Sequence, residues 1–171
     1  EFVHSFRNCI FTQREIGVDT FSYADALKNA LRQRADVIFI GEIRDRETME
    51  QALNFAETGH LCISTLHSNN SNQAISRIIN FFPEETHKNV LLTLSQNLKA
   101  ILSQKFVPSL SGTKEVVVEI MLNHGLIKNL IADGKIKEIR EIMEKEHDMG
   151  MQTFDIALYK MAKDKIITEQ V

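Results

Sequence analysis

The sequence predicts an α/β fold in which a parallel sheet is flanked by helices and followed by a small helical tail. Two short apolar runs of β-forming residues, 37–40 and 61–65, each precede a segment with helical periodicity. Continuous apolar strands are typical of a parallel sheet that is covered on both faces. Because strand and helix alternate along the chain, we expect parallel strands joined by helical crossovers.

Length and composition indicate an ordinary globular protein of one domain, or of one domain with an appended piece. The 171 residues are 43% hydrophobic and 25% charged, which is enough to bury a core. The net charge of -3 gives no attraction to nucleic acid, so we expect no nucleic-acid partner. The two cysteines are too few for a disulfide framework, which fits a reduced cytosolic protein. The chain begins with Glu1 rather than Met, and we expect it to be cut from a longer protein.

Capping residues and glycines set the expected bounds of the helices in the first half. Ser22 can cap a helix that runs to about residue 34. A second helix is expected over about residues 46–58, and Gly59 can end it. A third helix is expected over residues 70–80. These helices would follow or separate the two apolar strands.

The pattern changes in the second half, where the apolar spacing predicts one long amphipathic helix over residues 87–106. One more strand is expected over residues 115–121, which are rich in valine. The remaining sequence has helical character, with segments expected near residues 125–132, 135–146 and 152–163. We expect a sheet-bearing core over residues 1–122 and a helical subdomain over 123–171.

The strand at residues 37–40 is followed by Gly41 and then by Glu42. Open α/β sheets bind their ligands at the carboxyl ends of the strands, and Glu42 is expected at that edge. A carboxylate there can hold Mg²⁺ through water, or orient the water that attacks a γ-phosphate. The alternative is a surface glutamate that only ends the strand, and this short pattern alone does not exclude it.

The strand at residues 61–65 leads to a second set of polar residues at the same expected edge. Thr65 can offer a hydroxyl group, and His67 can bind a γ-phosphate or couple the site to a neighbouring subunit. The alternative is an ordinary loop histidine with its own partner. A zinc site is excluded, because His60 and His67 lack the helical spacing and the cysteine pair that zinc sites use.

Arg14, in the run Gln13-Arg14-Glu15, is a further candidate because guanidinium binds phosphate well. It can equally be a surface arginine that pairs with a nearby acid. The 171 residues contain no phosphate-binding loop of the form GxxxxGK[ST] and no GxGxxG. On the residues alone, the chain would supply half of a nucleotide site.

Several motifs in order resemble the secretion ATPase superfamily, and within it the pilus retraction motors of the PilT/PilU type. The resemblance covers nearly the whole chain and includes the end of an acidic box (Phe2-Val3-His4), a QRE element (13–15), an atypical Walker B motif (36–45), and the AETGHL segment with the histidine box (56–67). Four motifs in this order, with apolar strands between them, are highly specific.

The tail of the chain narrows the resemblance. Residues 125–131, GLIKNLI, are similar to the AIRNLI motif of retraction ATPases, and residues 150–155, GMQTFD, resemble their GMQTxD stretch. Two departures from AIRNLI, Leu126 for Ala and Lys128 for Arg, favour a PilU-like accessory branch over the principal motor. An assembly or type II secretion ATPase remains an alternative, although it would carry a tetracysteine zinc module that these 171 residues lack.

The resemblance implies a RecA-like core fragment, without its P-loop, from a cytoplasmic hexameric ATPase that powers type IV pilus retraction. ATP and Mg²⁺ would be the cofactors, with Glu42 acting on Mg²⁺ or the attacking water and His67 sensing the γ-phosphate. The candidate contacts to nucleotide, phosphate or a neighbouring subunit would be Arg14, Arg44, Asp45 and Thr65. This chain alone would be inactive.

The resemblance also implies partners and a location. The protein would assemble with its own copies and with a paralogous retraction ATPase, against a platform protein at the inner-membrane base of the pilus. The motor-coupling motif would be Ile127, Lys128, Asn129, Leu130 and Ile131. A different class of function, a non-catalytic scaffold or accessory ring subunit, would suit a chain without a P-loop.

Overall fold

The computed structural model describes residues 4–146 and 149–168. The chain forms two compact units, Glu1–Ser64 and Thr65–Val171. The expected acidic-box residues Phe2 and Val3 lie outside the described residues. The domain boundary between residues 122 and 123 concerns the whole protein and stays a prediction.

The first unit contains two helices and a two-stranded parallel sheet. Its elements are α1 (Tyr23–Ala30, extended by a 3₁₀ turn at Leu31–Gln33), β1 (Val37–Ile40), α2 (Arg46–Glu57) and β2 (Leu61–Ser64). The strands are parallel, with Val37 opposite Leu61 and Ile40 opposite Ser64. The parallel pairing predicted from the alternation of strand and helix is confirmed.

Side-chain caps start both helices of this unit. Ser22 Oγ accepts a hydrogen bond from the Asp25 backbone N–H at 3.1 Å, and Asp45 Oδ1 accepts one from the Thr48 N–H at 2.8 Å. After α2, Gly59 adopts a φ of +92°, a left-handed conformation that suits glycine and turns the chain into β2. The helices predicted over residues 22–34 and 46–58 are confirmed.

The small sheet of the first unit is buried on one face only. Ile38 and Ile40 are buried, whereas Val37 and Phe39 are 52% and 64% exposed. The expectation that this strand is covered on both faces is therefore wrong for this chain. The physical reason is that the helix packed against the strands, α2, covers one side, and the described residues of this unit supply no second layer.

The second unit is built around an antiparallel hairpin with helices before and after it. Its elements are α3 (Ser71–Asn80), α4 (His87–Asn97), β3 (Ala100–Pro108), β4 (Lys114–Leu122), α5 (Gly125–Ala132), α6 (Ile139–Lys145) and α7 (Phe154–Lys163), with 3₁₀ turns at Glu84–Thr86 and Ile136–Glu138. The strand predicted over residues 115–121 is confirmed as part of β4. The helices predicted near 70–80, 125–132, 135–146 and 152–163 are confirmed with small shifts at their ends.

The long helix predicted over residues 87–106 is wrong in its second half. The helix α4 ends at Asn97, and the chain continues as strand β3. Leu98 has a ψ of 135°, which is an extended conformation and takes the chain out of the helix. An apolar stripe with helical spacing is thus divided between a helix and a strand.

A side chain that lies far along the sequence caps this early end, where the chain leaves the helix to pair with β4. Asn123 Nδ2 donates hydrogen bonds to the carbonyl oxygens of Leu94, Ser95 and Leu98 at 3.4, 3.0 and 2.8 Å. The last carbonyl groups of a helix have no partner within the helix, and Asn123 supplies one from the end of β4. Local periodicity cannot reveal such a contact.

The core of the second unit collects apolar side chains from its helices and from the inner face of β4. Fully buried members include Ile75, Met121, Ile127, Ile131, Ile139 and Met143. The helices α4 and α5 pack against each other, and α7 packs on β4. In the described part of the chain, no helix is long and apolar enough to span a membrane.

Candidate functional site

Glu42 lies two residues past the end of β1, at the carboxyl edge of the parallel pair. Its Oε1 is 2.6 Å from Arg44 Nη2, and the side chains of Glu42 and Arg44 are 29% and 73% exposed. The hydrogen bond to Glu42 and the attraction of its charge raise the pKa of Arg44. The pair is therefore ionic, with a partly sheltered carboxylate and a guanidinium in solvent.

The backbone on either side of Glu42 is fixed by buried neighbours. Ile40 ends β1 and is buried, and Ile43 is buried directly after Glu42. Asp45 then caps α2 through its bond to the Thr48 N–H. A short segment held at both ends positions a carboxylate without a large loss of entropy when a ligand binds.

The sequence predicts Asp45 as a nucleotide or interface contact, and in the structure Asp45 caps helix α2. Its Oδ1 is engaged at the amino end of α2, where a carboxylate also complements the helix dipole. Arg14 lies on an exposed stretch before α1, next to a turn in which the Glu15 N–H donates to Asp19 Oδ2 at 2.9 Å. A contact of either residue with a nucleotide stays a prediction.

Thr65 and His67 begin the second unit, in what we term the histidine segment, residues 65–70. Both residues are exposed. The carbonyl oxygen of His67 accepts a hydrogen bond from Arg77 Nη1 at 3.2 Å, and the guanidinium of Arg77 also lies 6.0 Å from the ring centre of Phe81. The backbone at His67 is thereby tied to the last turn of α3.

The end of the histidine segment is tied to the first turn of α3. Asn70 Oδ1 accepts a hydrogen bond from the Gln73 N–H at 2.9 Å, which makes Asn70 the cap of the helix. In return, Gln73 Oε1 accepts a bond from the Asn69 N–H at 3.3 Å. This reciprocal arrangement resembles a capping box and fixes the path of the chain between His67 and the helix.

Sequence reasoning missed Glu119, a buried acid on β4 that is only 7% exposed. Its Oε1 accepts two hydrogen bonds from Ser71, from the backbone N–H at 2.7 Å and from Oγ at 2.8 Å. One signal was available: in the alternating strand, Glu119 shares the inward face of Val117 and Met121, where an acid is unusual.

Two cations line the same cavity of about 140 Å³ as Glu119. They are Lys105, which also lies 4.2 Å from the ring centre of Phe154, and Arg140. The pKa of Arg140 is raised, mainly by its hydrogen bond to Glu144 and the charge of Asp155, with a smaller contribution from Glu119. Glu119 therefore shares this cavity with two basic side chains and with Asp155.

The predicted motor-coupling motif divides between core and surface along α5. Ile127, Leu130 and Ile131 are buried and belong to the core of the second unit, whereas Lys128 and Asn129 are exposed. Its apolar members therefore contribute to the core of this unit, and the motor-coupling role of the motif stays a prediction.

Comparisons with known proteins place the chain in a family. The family described as "Type II/IV secretion system protein" matches residues 13–164. Over 98% of its length the chain is 52% identical to the type IV pilus ATPase PilU of Pseudomonas aeruginosa, of which it covers 44%. Over 99% of its length it is 36% identical to the pilus retraction ATPase PilT of the same organism, of which it covers 49%.

The fold comparison agrees. A crystal structure described as the pilus retraction motor PilT with bound ADP matches 93% of this chain and 45% of that one, with a TM-score of 0.84 and 42% identity. The predicted α/β fold of a RecA-like core fragment is thereby confirmed. The chain spans a little under half the length of the curated relatives named above. It belongs to the type II/IV secretion system ATPase family, and within that family it is a PilT/PilU-type chain.

Proposed function

We propose that this chain is part of a hexameric ATPase that couples ATP hydrolysis to retraction of type IV pili. The observation that carries the proposal is the position of Glu42, a partly sheltered carboxylate at the carboxyl edge of parallel strands. The names of the relatives PilU and PilT, a pilus ATPase and a pilus retraction ATPase, support the same function. Because these 171 residues contain no GxxxxGK[ST], the nucleotide phosphates would be held by another part of the whole protein.

Glu42 would hold Mg²⁺ through water or orient the water that attacks the γ-phosphate. The donor set fits this ion, since Mg²⁺ in nucleotide sites takes one or two carboxylates and keeps several waters. When bound, the ion would neutralise charge that develops on the phosphates. Arg44 holds Glu42 in place, and because Arg44 is mostly exposed, exchange of this bond for a phosphate contact would cost little free energy.

His67 would donate a hydrogen bond to the γ-phosphate and so report whether ATP or ADP is bound. Thr65 and Arg14 would contribute contacts to phosphate or to the adjacent subunit. The exposed pair Lys128 and Asn129 on α5 would meet the platform protein at the inner-membrane base of the pilus, from the cytoplasmic side. In the whole protein, residues 1–122 would belong to the RecA-like core and 123–171 to a helical subdomain.

The whole protein would act in the PilU-like accessory branch, together with a paralogous retraction ATPase. The higher identity to PilU than to PilT, 52% against 36%, favours this branch. Deletion of the gene should then abolish twitching while leaving the force of pilus retraction. Loss of all retraction in the single deletion would contradict the accessory role.

The test is Mg²⁺-dependent ATP hydrolysis by the whole protein and by its Glu42→Gln variant. The amide removes the negative charge but keeps the shape, so turnover should vanish while binding of a fluorescent ATP analogue is retained. Glu47→Gln, an exposed acid in the first turn of α2, is the matched control and should hydrolyse ATP normally.

Two results would change the proposal. Unchanged turnover in Glu42→Gln would remove the role of this carboxylate. Absence of turnover in the unmodified protein, despite assembly into rings, would favour the non-catalytic scaffold.

A further inference from the structure

Glu119 is the point at which the hairpin of the second unit holds α3. Its carboxylate reaches Ser71, the first residue of that helix, across 48 positions of sequence. Ser71 is 1% exposed and Glu119 is 7% exposed, so these bonds lie largely out of contact with bulk solvent. Hydrogen bonds to an ionised acceptor are among the strongest in proteins.

The amino end of α3 needs this contact because its cap does not satisfy every donor. The first four N–H groups of a helix lack partners within the helix. Asn70 satisfies the N–H of Gln73, and Glu119 satisfies the N–H of Ser71. The negative charge of Glu119 also complements the positive end of the helix dipole.

The strand that carries Glu119 is itself held on its other side. Ile120 exchanges two backbone hydrogen bonds with Gln152, at 2.7 and 2.9 Å, and Gln152 Nε2 donates to the Val118 carbonyl at 2.9 Å. Both residues next to Glu119 are therefore tied to the segment that precedes α7. Glu119 thus connects strand β4, which is hydrogen-bonded to the segment before α7, to the start of α3.

Only a short piece of chain separates Ser71 from His67. The backbone of that piece is bonded to α3 through Arg77 and Gln73, so it follows any movement of the helix. We propose that Glu119 is a positioning residue, which holds the amino end of α3 and thereby keeps His67 at the place where it meets the γ-phosphate. This inference rests on the role of His67 given under the proposed function and extends it.

The experiment is a double-mutant cycle on steady-state ATP hydrolysis by the whole protein. Glu119→Ala should lower kcat by about tenfold to a hundredfold, as expected for a misplaced catalytic group, with little change in KM. Glu119→Gln should recover most of the activity, because its amide oxygen can still accept both bonds from Ser71. Glu115→Ala is the matched control, because this acid lies on the same strand and face as Glu119. Within the described residues it receives a single long contact, from Thr113 Oγ1 at 3.5 Å, so the kcat of this variant should stay unchanged.

The decisive comparison is made in the His67→Ala background. If Glu119 acts through His67, adding Glu119→Ala there should change kcat no further. An equal fall in both backgrounds would overturn the inference, since it would show an effect on the fold at large. Normal turnover of His67→Ala alone would instead reject the proposed role of His67, which separates the two failures.

A second variant keeps the test informative if Glu119→Ala does not fold, as judged by thermal unfolding. Ser71→Ala removes the Oγ bond to Glu119 and leaves the backbone bond. Its fall in kcat should be smaller than that of Glu119→Ala and should likewise vanish in the His67→Ala background. Persistence of its effect in that background would count against the positioning role.

Discussion

Asn123 offers a direct test of how the second unit stops one helix and begins a strand. Its amide donates to three carbonyl groups at the end of α4, two at good distance, 3.0 and 2.8 Å, and one at 3.4 Å. At about 1 kcal/mol of net stability for each good bond, Asn123→Ala would lose about 2 kcal/mol. Asn123 Oδ1 is buried and has no hydrogen-bond partner within the described part of the chain. Removal of this unsatisfied oxygen should offset roughly half of the lost stability. We expect a net loss of about 1 kcal/mol.

Asn123→Asp should lower the free energy of unfolding much more than Asn123→Ala does at neutral pH. The carboxylate cannot donate, and it would face carbonyl oxygens as an unpaired buried charge, at a cost of about 3 kcal/mol or more. This penalty should be absent below the carboxyl pKa of the unfolded chain, about 3.9, and should grow as the pH rises above that value. The difference in free energy of unfolding between the aspartate and alanine variants should therefore become smaller at acidic pH.

Urea denaturation followed by circular dichroism measures these differences. Asn97→Ala is the control, because Asn97 lies in the same helix end but, in the part of the chain that the structure describes, its amide donates to one carbonyl, that of Thr93, at 3.0 Å. Asn97→Ala should lower the free energy of unfolding by no more than about 0.5 kcal/mol, since alanine is the better helix former. An aspartate variant as stable as the alanine variant, or an Asn97 effect as large as that of Asn123, would refute the capping role.

Two further predictions concern α5 and the cysteines. Ile131→Ala removes a fully buried side chain and should lower the free energy of unfolding, measured by urea denaturation, by about 2–5 kcal/mol. Lys128→Ala, on the exposed face of α5, should change it by no more than about 0.5 kcal/mol. Similar losses in the two variants would contradict the division of this motif between core and surface. Burial raises the pKa of the Cys62 thiol to about 11. At mildly alkaline pH, iodoacetamide should therefore label the exposed Cys9 before Cys62. The rate of labelling at Cys62 should rise as the pH approaches about 11. Equal labelling rates, read by mass spectrometry of peptides, would show that the Cys62 thiol is not sheltered.

Much of the fold could be predicted because its signals are local. Ser22 and Asn70 precede helices that they cap, and Gly59 stands where a helix must turn into a strand. Apolar runs identified β1 and β2, and their alternation with helices gave the parallel pairing. Each of these signals lies within a few residues of the element that it determines.

The remainder depends on partners distant in sequence. The division of residues 87–106 into a helix and a strand depends on the pairing of β3 with β4 and on the cap from Asn123. The one-sided burial of β1 depends on which layers pack beside it. At the site, Glu42 and His67 could be chosen from the strand ends that precede them. Glu119 could not, because its meeting with Ser71 depends on the register of β4 against the start of α3.

The β3–β4 hairpin also has a consequence for the order in which the chain folds. Its strands pair from Ala100 with Leu122 to Pro108 with Lys114, and the turn is closed by the Ser109 N–H on the Thr113 carbonyl at 2.9 Å. Partners this close in sequence meet in about 1–10 μs, whereas the bond from Ser71 to Glu119 must close a much longer loop. We expect the hairpin to be in place before α3 docks on it. The segment with His67 would then be among the last parts of this unit to reach its final structure, although it precedes the hairpin along the chain.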